Sequence, residues 1–431
     1  MDKRDQTIPD LLVIGAGASG MTAAIAFQNK LLSEGKPLGR VVILEKNERV
    51  GKKVLTTGNG RCNLSNKDMS LSHFHSHSSD FPGKVLSLVT PLDCLAFLEE
   101  IGIVTAAEGD KLFPMSKTAS SVVDCFRYRM DELKIETVEN AVVTEIVSDW
   151  TLKVVCEDQR EFSARKIIIA TGGACAAYTG SSGDGYRWLH DFGHKVYAPK
   201  PSIVQLLTEN SVTKALSGLR LDADVSLICD GHVIASQYGE VLFTDYGLSG
   251  PAVFQVSGEV SRHMKKDRLP VPMKVSLRLF DEETLSCIRG ELELRRESFS
   301  SRTIDQLLLS ILPQKIGVML VKSALERPMG LPVSALSDAD LNRILNTMRS
   351  WNFQVLGTRS LEYAQTTIGG ADCDEFSSDT LESSKVEGLF ACGEVLDVDG
   401  DCGGYNLTWA FSSGILAGRS AAEQILSESE A

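Results

Sequence analysis

The chain has 431 residues, of which 43% are hydrophobic and 23% are charged, so it can form two or three domains with ordinary globular cores. Its 57 acidic residues outnumber its 44 basic ones and give a net charge of −13, which argues against a partner bound through a nucleic-acid backbone. The ten cysteines include no C-x-x-C pair, which favours buried reduced thiols in a cytoplasmic protein over a disulfide framework or a zinc site.

An uncharged apolar stretch at 11–27 lies close to the start of the chain. Asp2, Asp5 and Asp10 oppose a basic leader, and glycines interrupt the apolar run, so neither a secretion signal nor a membrane span is predicted. We therefore expect folded structure here, no membrane partner and a cytoplasmic location.

A glycine motif follows the first apolar run. LLVI at 11–14 predicts a buried parallel strand, and GAGASG at 15–20 leads directly into a helix-forming segment. In this G-x-G-x-x-G motif, Gly15 allows the tight turn, Gly17 lets the backbone approach a pyrophosphate, and Gly20 permits close packing of the helix. The strand and helix around the motif make it a specific prediction of a dinucleotide site.

The start of that helix and the end of the next strand complete the unit. Backbone N–H groups at Ala18 and Ser19, together with the helix dipole, are expected to face the phosphates. A second strand at 41–44 ends at Glu45, whose carboxylate is placed to accept hydrogen bonds from a ribose. We include its neighbour Lys46 in the predicted cofactor site.

Both FAD and NAD use such a unit, and later segments favour FAD. KIIIATGG at 166–173 predicts a strand that returns to the same sheet, and Thr171 and Gly172 in its turn would pass close to the adenosine. Near the C-terminus, Asp397 would meet the hydroxyls or the pyrophosphate of the ribityl arm. An NAD domain needs no such C-terminal return.

Paired glycines in the same C-terminal stretch predict the start of a further helix. Gly403 and Gly404 would let the backbone approach a flat ring, and the helix is expected to run to about residue 418. N–H groups at its start would stabilise the negative charge that flavin reduction leaves on the N1–C2=O edge.

A glycine- and asparagine-rich segment at 51–66 predicts a loop beneath the dinucleotide, with Arg61 and Asn63 as hydrogen-bond donors. From this loop and the C-terminal stretch, the predicted cofactor residues are Lys53, Gly60, Arg61, Cys62, Asn63, Gly393, Glu394, Asp397, Gly403, Gly404, Tyr405 and Asn406.

Seven segments spread over nearly the whole chain carry a family resemblance. They are GAGASGM at 15–21, GKKVLTTGNGRCNLSN at 51–66, ATGG at 170–173, GSSGDGY at 180–186, LFTDYGLSGPAV at 242–253, TIGGA at 367–371 and CGEVLDVDGDCGGYNLTWAFSSG at 392–414. Together they resemble the BaiN/YhiN-like flavoproteins, which are NAD(P)/FAD-dependent oxidoreductases. The resemblance implies non-covalent FAD, a Rossmann-like domain built from both chain ends, and an inserted region. Members are linked to reduction of conjugated enones and to oxidation of small amines.

The predicted fold class is α/β, with a Rossmann-like FAD-binding domain and an inserted β-rich plus helical region. Within the insert, segments with strand-like patterns are followed by helix-like segments and then again by strand-like ones. The predicted boundaries are 1–196 and 365–431 for the FAD-binding domain, 197–281 and 350–364 for the β-rich insert, and 282–349 for the helical insert.

Catalytic candidates come from segments expected to reach the flavin. We name Tyr405 and Asn406 in the C-terminal stretch and Tyr246 in the insert. Tyr405 is a candidate proton donor, although a buried, hydrogen-bonded tyrosine is an equal alternative. Cys62 is interpreted as a packed thiol rather than a redox partner, because the next cysteine along the chain is Cys94.

Three histidines alternate along one short segment. His73, His75 and His77 would share one face of a strand, but no carboxylate cluster lies near them in the sequence, so a polar loop is favoured over a metal site. Asp399 and Asp401 are interpreted as an acidic turn before the C-terminal helix.

The leading hypothesis is an FAD oxidoreductase that transfers a hydride between flavin N5 and a small organic substrate. The reaction would be an enone-type reduction with NAD(P)H or an amine-type oxidation with O₂. A second G-x-G-x-x-G motif is absent from the sequence, so NAD(P)H would act as a transient donor. The alternatives are a flavin-dependent RNA-modifying enzyme and a non-catalytic flavoprotein or redox sensor. The sequence predicts no oligomeric state.

Overall fold

A computed structural model describes residues 8–148, 151–265 and 268–430. The chain forms two compact units: the first unit comprises Met1–Lys200 with Ala364–Ala431, and the insert unit comprises Pro201–Tyr363. The three-way division expected from the sequence stays a prediction.

The strands and helices have the following bounds. The strands are β1 Leu11–Ile14, β2 Val41–Leu44, β3 Ser65–Asn66, β4 Phe74–His75, β5 Thr105–Glu108, β6 Lys111–Pro114, β7 Glu136–Val138, β8 Val143–Ser148, β9 Leu152–Cys156, β10 Glu161–Ala164, β11 Lys166–Ile169, β12 Lys200–Ser202, β13 Leu206–Thr208, β14 Arg220–Cys229, β15 His232–Phe243, β16 Gly247–Ser249, β17 Met273–Arg278, β18 Trp351–Thr358, β19 Thr366–Ile368, β20 Leu389–Ala391 and β21 Asp399–Gly400. The α-helices are α1 Ala18–Ser33, α2 Phe81–Leu88, α3 Pro91–Glu100, α4 Ala119–Glu132, α5 Asp184–Asp191, α6 Asn210–Ala215, α7 Pro251–His263, α8 Glu282–Ser298, α9 Gln314–Ala324, α10 Asp338–Arg349 and α11 Tyr405–Glu430.

The core of the first unit is a five-stranded parallel sheet with the order β20-β11-β1-β2-β7. Every residue of β1, β2 and β11 is buried, as expected for short apolar strands that are covered on both faces. The predicted return of the 166–173 segment to the sheet of the first strand is confirmed, because β11 lies directly beside β1. This α/β architecture agrees with the predicted fold class.

The first and last helices of the unit pack backbone to backbone. A Cβ added at Gly414 would lie 2.6 Å from the carbonyl oxygen of Ser19, and one at Gly418 would lie 2.2 Å from that of Ala23. The predicted end of the last helix near 418 is wrong, because α11 continues to Glu430. Residues beyond 418 keep one apolar side in the core, and no glycine or proline stops the helix.

Both chain ends meet around the glycine motif, as the sequence predicted. A Cβ at Gly393 would lie 2.5 Å from Ser19 Oγ, so the segment after β20 touches the start of α1. The side-chain amide of Asn66 donates to the carbonyl of Gly403 at 2.9 Å. Gly404 has φ +103°, and a Cβ there would lie 2.5 Å from the carbonyl oxygen of Ser65.

The insert unit is a closed antiparallel barrel with associated helices. The strand order around the barrel is β13-β16-β15-β14-β17-β18, with β18 pairing back to β13. Helices α8, α9 and α10 share one hydrophobic core with these strands, including Val225, Leu277, Leu292 and Ile344, which are all fully buried. The β-rich and helical segments of the insert therefore form a single core.

A buried carboxylate caps α10 in this unit. Asp340 is 0% exposed and accepts hydrogen bonds from the backbone N–H and the hydroxyl of Ser337, at 2.9 and 2.7 Å. It also pairs with Arg327 at 3.0 Å and with Arg343. Burial raises the pKa of Asp340, but the Ser337 and Arg343 hydrogen bonds and the Arg327 charge outweigh it and lower the pKa to about 2.

Replacement of this carboxylate should destabilise the insert unit in a pH-dependent way. A depressed pKa stabilises the fold above the unfolded-state pKa of about 3.9, and this contribution is lost as the pH falls through about 2. We expect Asp340→Asn to lower the free energy of unfolding by about 2 kcal/mol at pH 7, with the deficit shrinking below pH 4. Urea unfolding at pH 7 and pH 3 measures this difference.

The same helix supplies a matched control. Asp338 pairs with Arg296 at 2.6 Å, but its side chain is 73% exposed. Asp338→Asn should therefore destabilise the unit much less than Asp340→Asn does, because exposed ion pairs contribute little. Equal losses in the two variants would contradict a special role for burial at Asp340.

Candidate active site

A large pocket opens in the first unit at the carboxyl ends of the parallel strands. Its walls enclose about 1160 Å³, including the open mouth. Ile14, Leu44 and Ala170, at the ends of β1, β2 and β11, line it. Ligands of open α/β sheets bind at this edge.

The glycine motif forms one wall, and Gly15 and Gly20 have the turn and the close packing predicted for them. Gly15 has φ +104°, and a Cβ there would lie 2.6 Å from the carbonyl oxygen of Ala170. A Cβ at Gly20 would lie 1.9 Å from the carbonyl oxygen of Gly15, so only glycine lets the helix pack against the turn. At Gly17, by contrast, no described atom beyond its chain neighbours lies within 4 Å of the Cβ position.

The start of α1 presents an anion site to the pocket. Ala18 and Ser19 line the wall, and the first turn of α1, which lies wholly within the described residues, contains no acidic residue and no side-chain cap. Its first N–H groups are therefore left for an anionic group, which the helix dipole also attracts.

Glu45 is fixed at the end of β2 on the same wall. It is 7% exposed; one oxygen accepts from the N–H of Ala16 at 2.9 Å, and the other accepts from the backbone N–H of Asn47 at 2.8 Å. A carboxylate oxygen can accept more than one hydrogen bond, so a ribose hydroxyl could still donate to it. Lys46 pairs across the pocket with Asp184 at 2.7 Å.

An ion pair lies on the opposite side of the pocket. Lys53 Nζ is 2.7 Å from Glu394 Oε2 and 3.2 Å from Cys175 Sγ. Glu394 Oε1 accepts from the N–H of Thr367 at 2.6 Å. Burial alone would lower the pKa of Lys53, but the neighbouring Cys175 and Glu394 raise it well above its ordinary value.

Two further polar atoms on the wall are suited to bond to a ligand. Thr171 Oγ1 and Thr366 Oγ1 are buried and have no hydrogen-bond partner among the described residues. Buried hydroxyls are normally paired, so a ligand that supplies partners would satisfy both. Together with the open space at Gly17, the free helix N-terminus and the Glu45 carboxylate, they match the phosphate and sugar groups of FAD.

The structure brings about half of the predicted cofactor residues to this pocket. Lining it are Gly15, Gly17, Ala18, Ser19, Glu45, Lys46, Lys53, Thr171, Gly172, Glu394 and Asn406. Away from its described wall lie Gly20, Gly60, Arg61, Cys62, Asn63, Gly393, Asp397, Gly403, Gly404 and Tyr405. Gly20, Gly393 and Gly404 instead allow the close contacts described above, to backbone at Gly20 and Gly404 and to the Ser19 side chain at Gly393. The assignment of all these residues to the cofactor stays a prediction.

Two residues of the 51–66 segment have partners of their own. Arg61 pairs with Glu108 at 2.6 Å and lies over the ring of Phe113, with its guanidinium carbon 4.4 Å from the ring centroid. Cys62 is fully buried with φ +59°, and burial raises the pKa of its thiol to about 11. A protonated, inaccessible thiol matches the interpretation of Cys62 as a packing residue.

The three catalytic candidates lie in different environments. Tyr405 is 5% exposed and stacks on His73 with ring centroids 4.4 Å apart, and burial with nearby acidic groups raises its pKa to about 12. Asn406 lines the pocket, but its side chain is bonded to the backbone of Gly400 at 2.9 and 2.7 Å. Tyr246 belongs to the insert unit. Their catalytic roles stay predictions.

Folding supplies the three histidines with carboxylate partners from a distant part of the sequence. His73 Nδ1 and His75 Nε2 lie 2.8 and 2.9 Å from the carboxylate oxygens of Asp401, and His77 Nδ1 lies 2.8 Å from Asp397. Pairing of β4 with β21 brings these distant segments together. Across the described ranges, no group of three or more His, Cys, Asp or Glu residues is arranged to hold a metal ion.

Asp397 is buried next to a residue of the pocket wall. Its side chain is 3% exposed and bonded to His77, so it is buried beside the pocket, and its neighbour Val398 lines the wall. Burial raises the pKa of Asp397, while the hydrogen bonds from His77 oppose this shift.

Sequence reasoning missed several wall residues. Trp409 donates its indole N–H to the carbonyl of Gly393 at 3.1 Å, and Trp188 on α5 lines another part of the wall. Trp409 follows the predicted Asn406 by about one helical turn, so helical periodicity would have identified it. No sequence signal marks Val143 or Thr366.

No single helix in the described part of the chain is long and apolar enough to cross a membrane. Helices α2 and α3 meet the length and composition requirement only as a bent pair.

This chain is similar in sequence to known proteins over most of its length. Residues 9–420 match the HI0933-like protein Rossmann domain. The 3-dehydro-bile acid delta(4,6)-reductase of Clostridium scindens is 33% identical over 412 residues, which cover 96% of this chain and 98% of the reductase. The ribosomal RNA dihydrouridine synthase of Haemophilus influenzae is 28% identical, over 93% of this chain and 96% of the synthase.

Among solved structures, a variant of E. coli quinol fumarate reductase FrdA matches with a TM-score of 0.50 and 16% identity. The match covers 98% of this chain and 71% of that one, and it shows a shared fold alone. The reductase relative, the Rossmann-domain match and the pocket agree with the predicted enzyme class and with the family that the motifs resemble. The chain belongs to the HI0933-like Rossmann-domain family and is an oxidoreductase.

Proposed function

We propose that the protein is a reductase that binds FAD non-covalently and reduces a small conjugated carbonyl compound with NAD(P)H as electron donor. The observation that carries this proposal is the large pocket at the glycine motif in a chain 33% identical to a reductase named for a bile acid. We place the protein in the cytoplasm.

The chain's own groups would hold FAD along the strand ends. The N–H groups of Ala18 and Ser19 would bind its pyrophosphate, and Glu45 would accept from a ribose hydroxyl. The unpaired hydroxyls of Thr171 and Thr366 would bond to the cofactor. When bound, FAD supplies hydride transfer at its N5 atom. Trp409 and Leu407 would exclude water from the C-terminal side of the pocket.

The similarity to ribosomal RNA dihydrouridine synthases supports a second candidate, reduction of a uridine in RNA. Those relatives, from Haemophilus influenzae and Escherichia coli, are 28% and 29% identical to this chain. Against RNA stand the net charge of −13 and the higher identity to the bile-acid reductase. We therefore propose a small-molecule substrate first.

An anaerobic titration of the purified protein tests the proposal. We expect a yellow protein that releases FAD on denaturation, is bleached by NADH or NADPH, and is reoxidised by a steroid-type conjugated enone. The matched saturated ketone should leave it bleached. Reoxidation by an RNA transcript with formation of dihydrouridine would favour the second candidate. Reduction by a primary amine with reoxidation by O₂ would favour an oxidase.

A further inference from the structure

The Lys53–Glu394 ion pair has a defined place along the pocket. Glu45 follows β2, whereas Glu394 follows β20, and β1 and β11 lie between those two strands in the sheet. With neighbouring strands about 4.8 Å apart, β2 and β20 are separated by roughly 14 Å of sheet edge. If Glu45 holds the adenosine ribose, the ion pair lies toward the flavin half of the cofactor.

The geometry of the pair is held from several sides. The side chains of Lys53 and Glu394 are 24% and 18% exposed, so both are partly shielded from water. The Thr367 N–H holds one oxygen of Glu394 at 2.6 Å, and Cys175 Sγ lies 3.5 Å from the same oxygen. A Cβ at Gly173 would lie 2.8 Å from that oxygen, so the glycine leaves room for it.

Within this group, Glu394 is the anion that offsets Lys53. Cys175 is fully buried, and burial raises the pKa of its thiol to about 11, so Cys175 is neutral at pH 7. Lys53 stays protonated because its pKa is raised. The pair therefore presents one positive and one negative charge to the pocket, with little net charge.

Resting on the FAD proposal above, we propose that Glu394 is a positioning residue that neutralises Lys53 and thereby keeps the reduction potential of the flavin low. Reduction adds negative charge to the flavin, so an uncompensated cation nearby stabilises the reduced form and makes it a weaker hydride donor. When Glu394 neutralises it, Lys53 orients the cofactor without stabilising the reduced form of the flavin.

Three variants test the charge balance. Glu394→Gln leaves Lys53 uncompensated and should raise the potential, whereas Lys53→Gln leaves Glu394 uncompensated and should lower it. Each substitution should change the equilibrium constant for electron exchange between the flavin and a reference redox dye by about tenfold. This is the effect expected of a unit charge about 12 Å from the flavin at an effective dielectric constant of about 20. The double variant should return close to the wild-type potential.

The control is an ion pair away from the described pocket wall. Glu161→Gln breaks the 2.6 Å contact with Lys153, neither of which lines the pocket, and should leave the potential unchanged. Shifts of Glu394→Gln and Lys53→Gln in the same direction, or no shift, would overturn the inference. Loss of FAD from either variant would also overturn it, by assigning the pair to cofactor binding. A colourless wild-type protein would instead refute the FAD proposal itself.

Discussion

Replacing Gly17 with valine is expected to give a folded protein that holds no FAD. Gly17 has φ −82° and ψ −172°, an extended conformation that valine adopts readily, and the Cβ position meets no described atom within 4 Å apart from its chain neighbours. The folded protein therefore accommodates the side chain. The pyrophosphate of FAD would have to occupy the same space.

We expect the affinity of Gly17→Val for FAD to fall by a hundredfold or more, equivalent to about 3 kcal/mol of steric cost. Visible absorbance and a fluorescence titration of the apoprotein measure this loss. The matched control is Gly330→Val, at an exposed glycine of the insert unit where the added Cβ also meets no described atom within 4 Å. A yellow Gly17→Val protein would show that the phosphates bind elsewhere.

Gly418→Leu is expected to be among the most destabilising single substitutions in the first unit. The added Cβ would lie 2.2 Å from the carbonyl oxygen and 2.9 Å from the carbonyl carbon of Ala23, both backbone atoms of α1. Neither helix can relieve this overlap by a side-chain rotation, so α1 and α11 must separate. Because α1 also supplies the anion site, the pocket would be disturbed with the core.

We expect a loss in the free energy of unfolding of at least about 3 kcal/mol for Gly418→Leu, the upper end for overpacked cores. Thermal unfolding followed by circular dichroism checks it. Gly290 lies within α8, and its Cβ position meets no described atom within 4 Å. Gly290→Ala should therefore be neutral or stabilising by up to about 1 kcal/mol. An unchanged melting temperature in Gly418→Leu would contradict the backbone contact.

The glycine motif shows how much of the site can be predicted from a local sequence pattern. Gly15, Gly17 and Gly20 follow an apolar strand and open a helix, and a Cβ at Gly20 would meet the carbonyl oxygen of Gly15 in the same turn. The turn at Gly15 and the packing at Gly20 could therefore be predicted from the sequence. The same holds for the position of Glu45 at the end of β2, because the apolar run that forms the strand stops at this residue.

Contacts between distant segments were harder to predict. Asp401 was interpreted as part of an acidic turn, yet it lies against His73 and His75, and Lys53 meets Glu394 across the pocket. Neither pairing leaves a pattern in its own segment. Each arises because packing of the chain's two ends brings polar groups to the same partly buried place, where they require partners.

The sequence by itself determined the strand–turn–helix unit, the acidic end of the second strand and the participation of both chain ends, because these depend on short-range periodicity and on glycines with special backbone conformations. Tertiary structure alone decided which side chains line the pocket, how far α11 extends and which charges neutralise one another. The physical reason is that these features minimise the free energy of the packed unit as a whole, and the groups involved become neighbours only after folding.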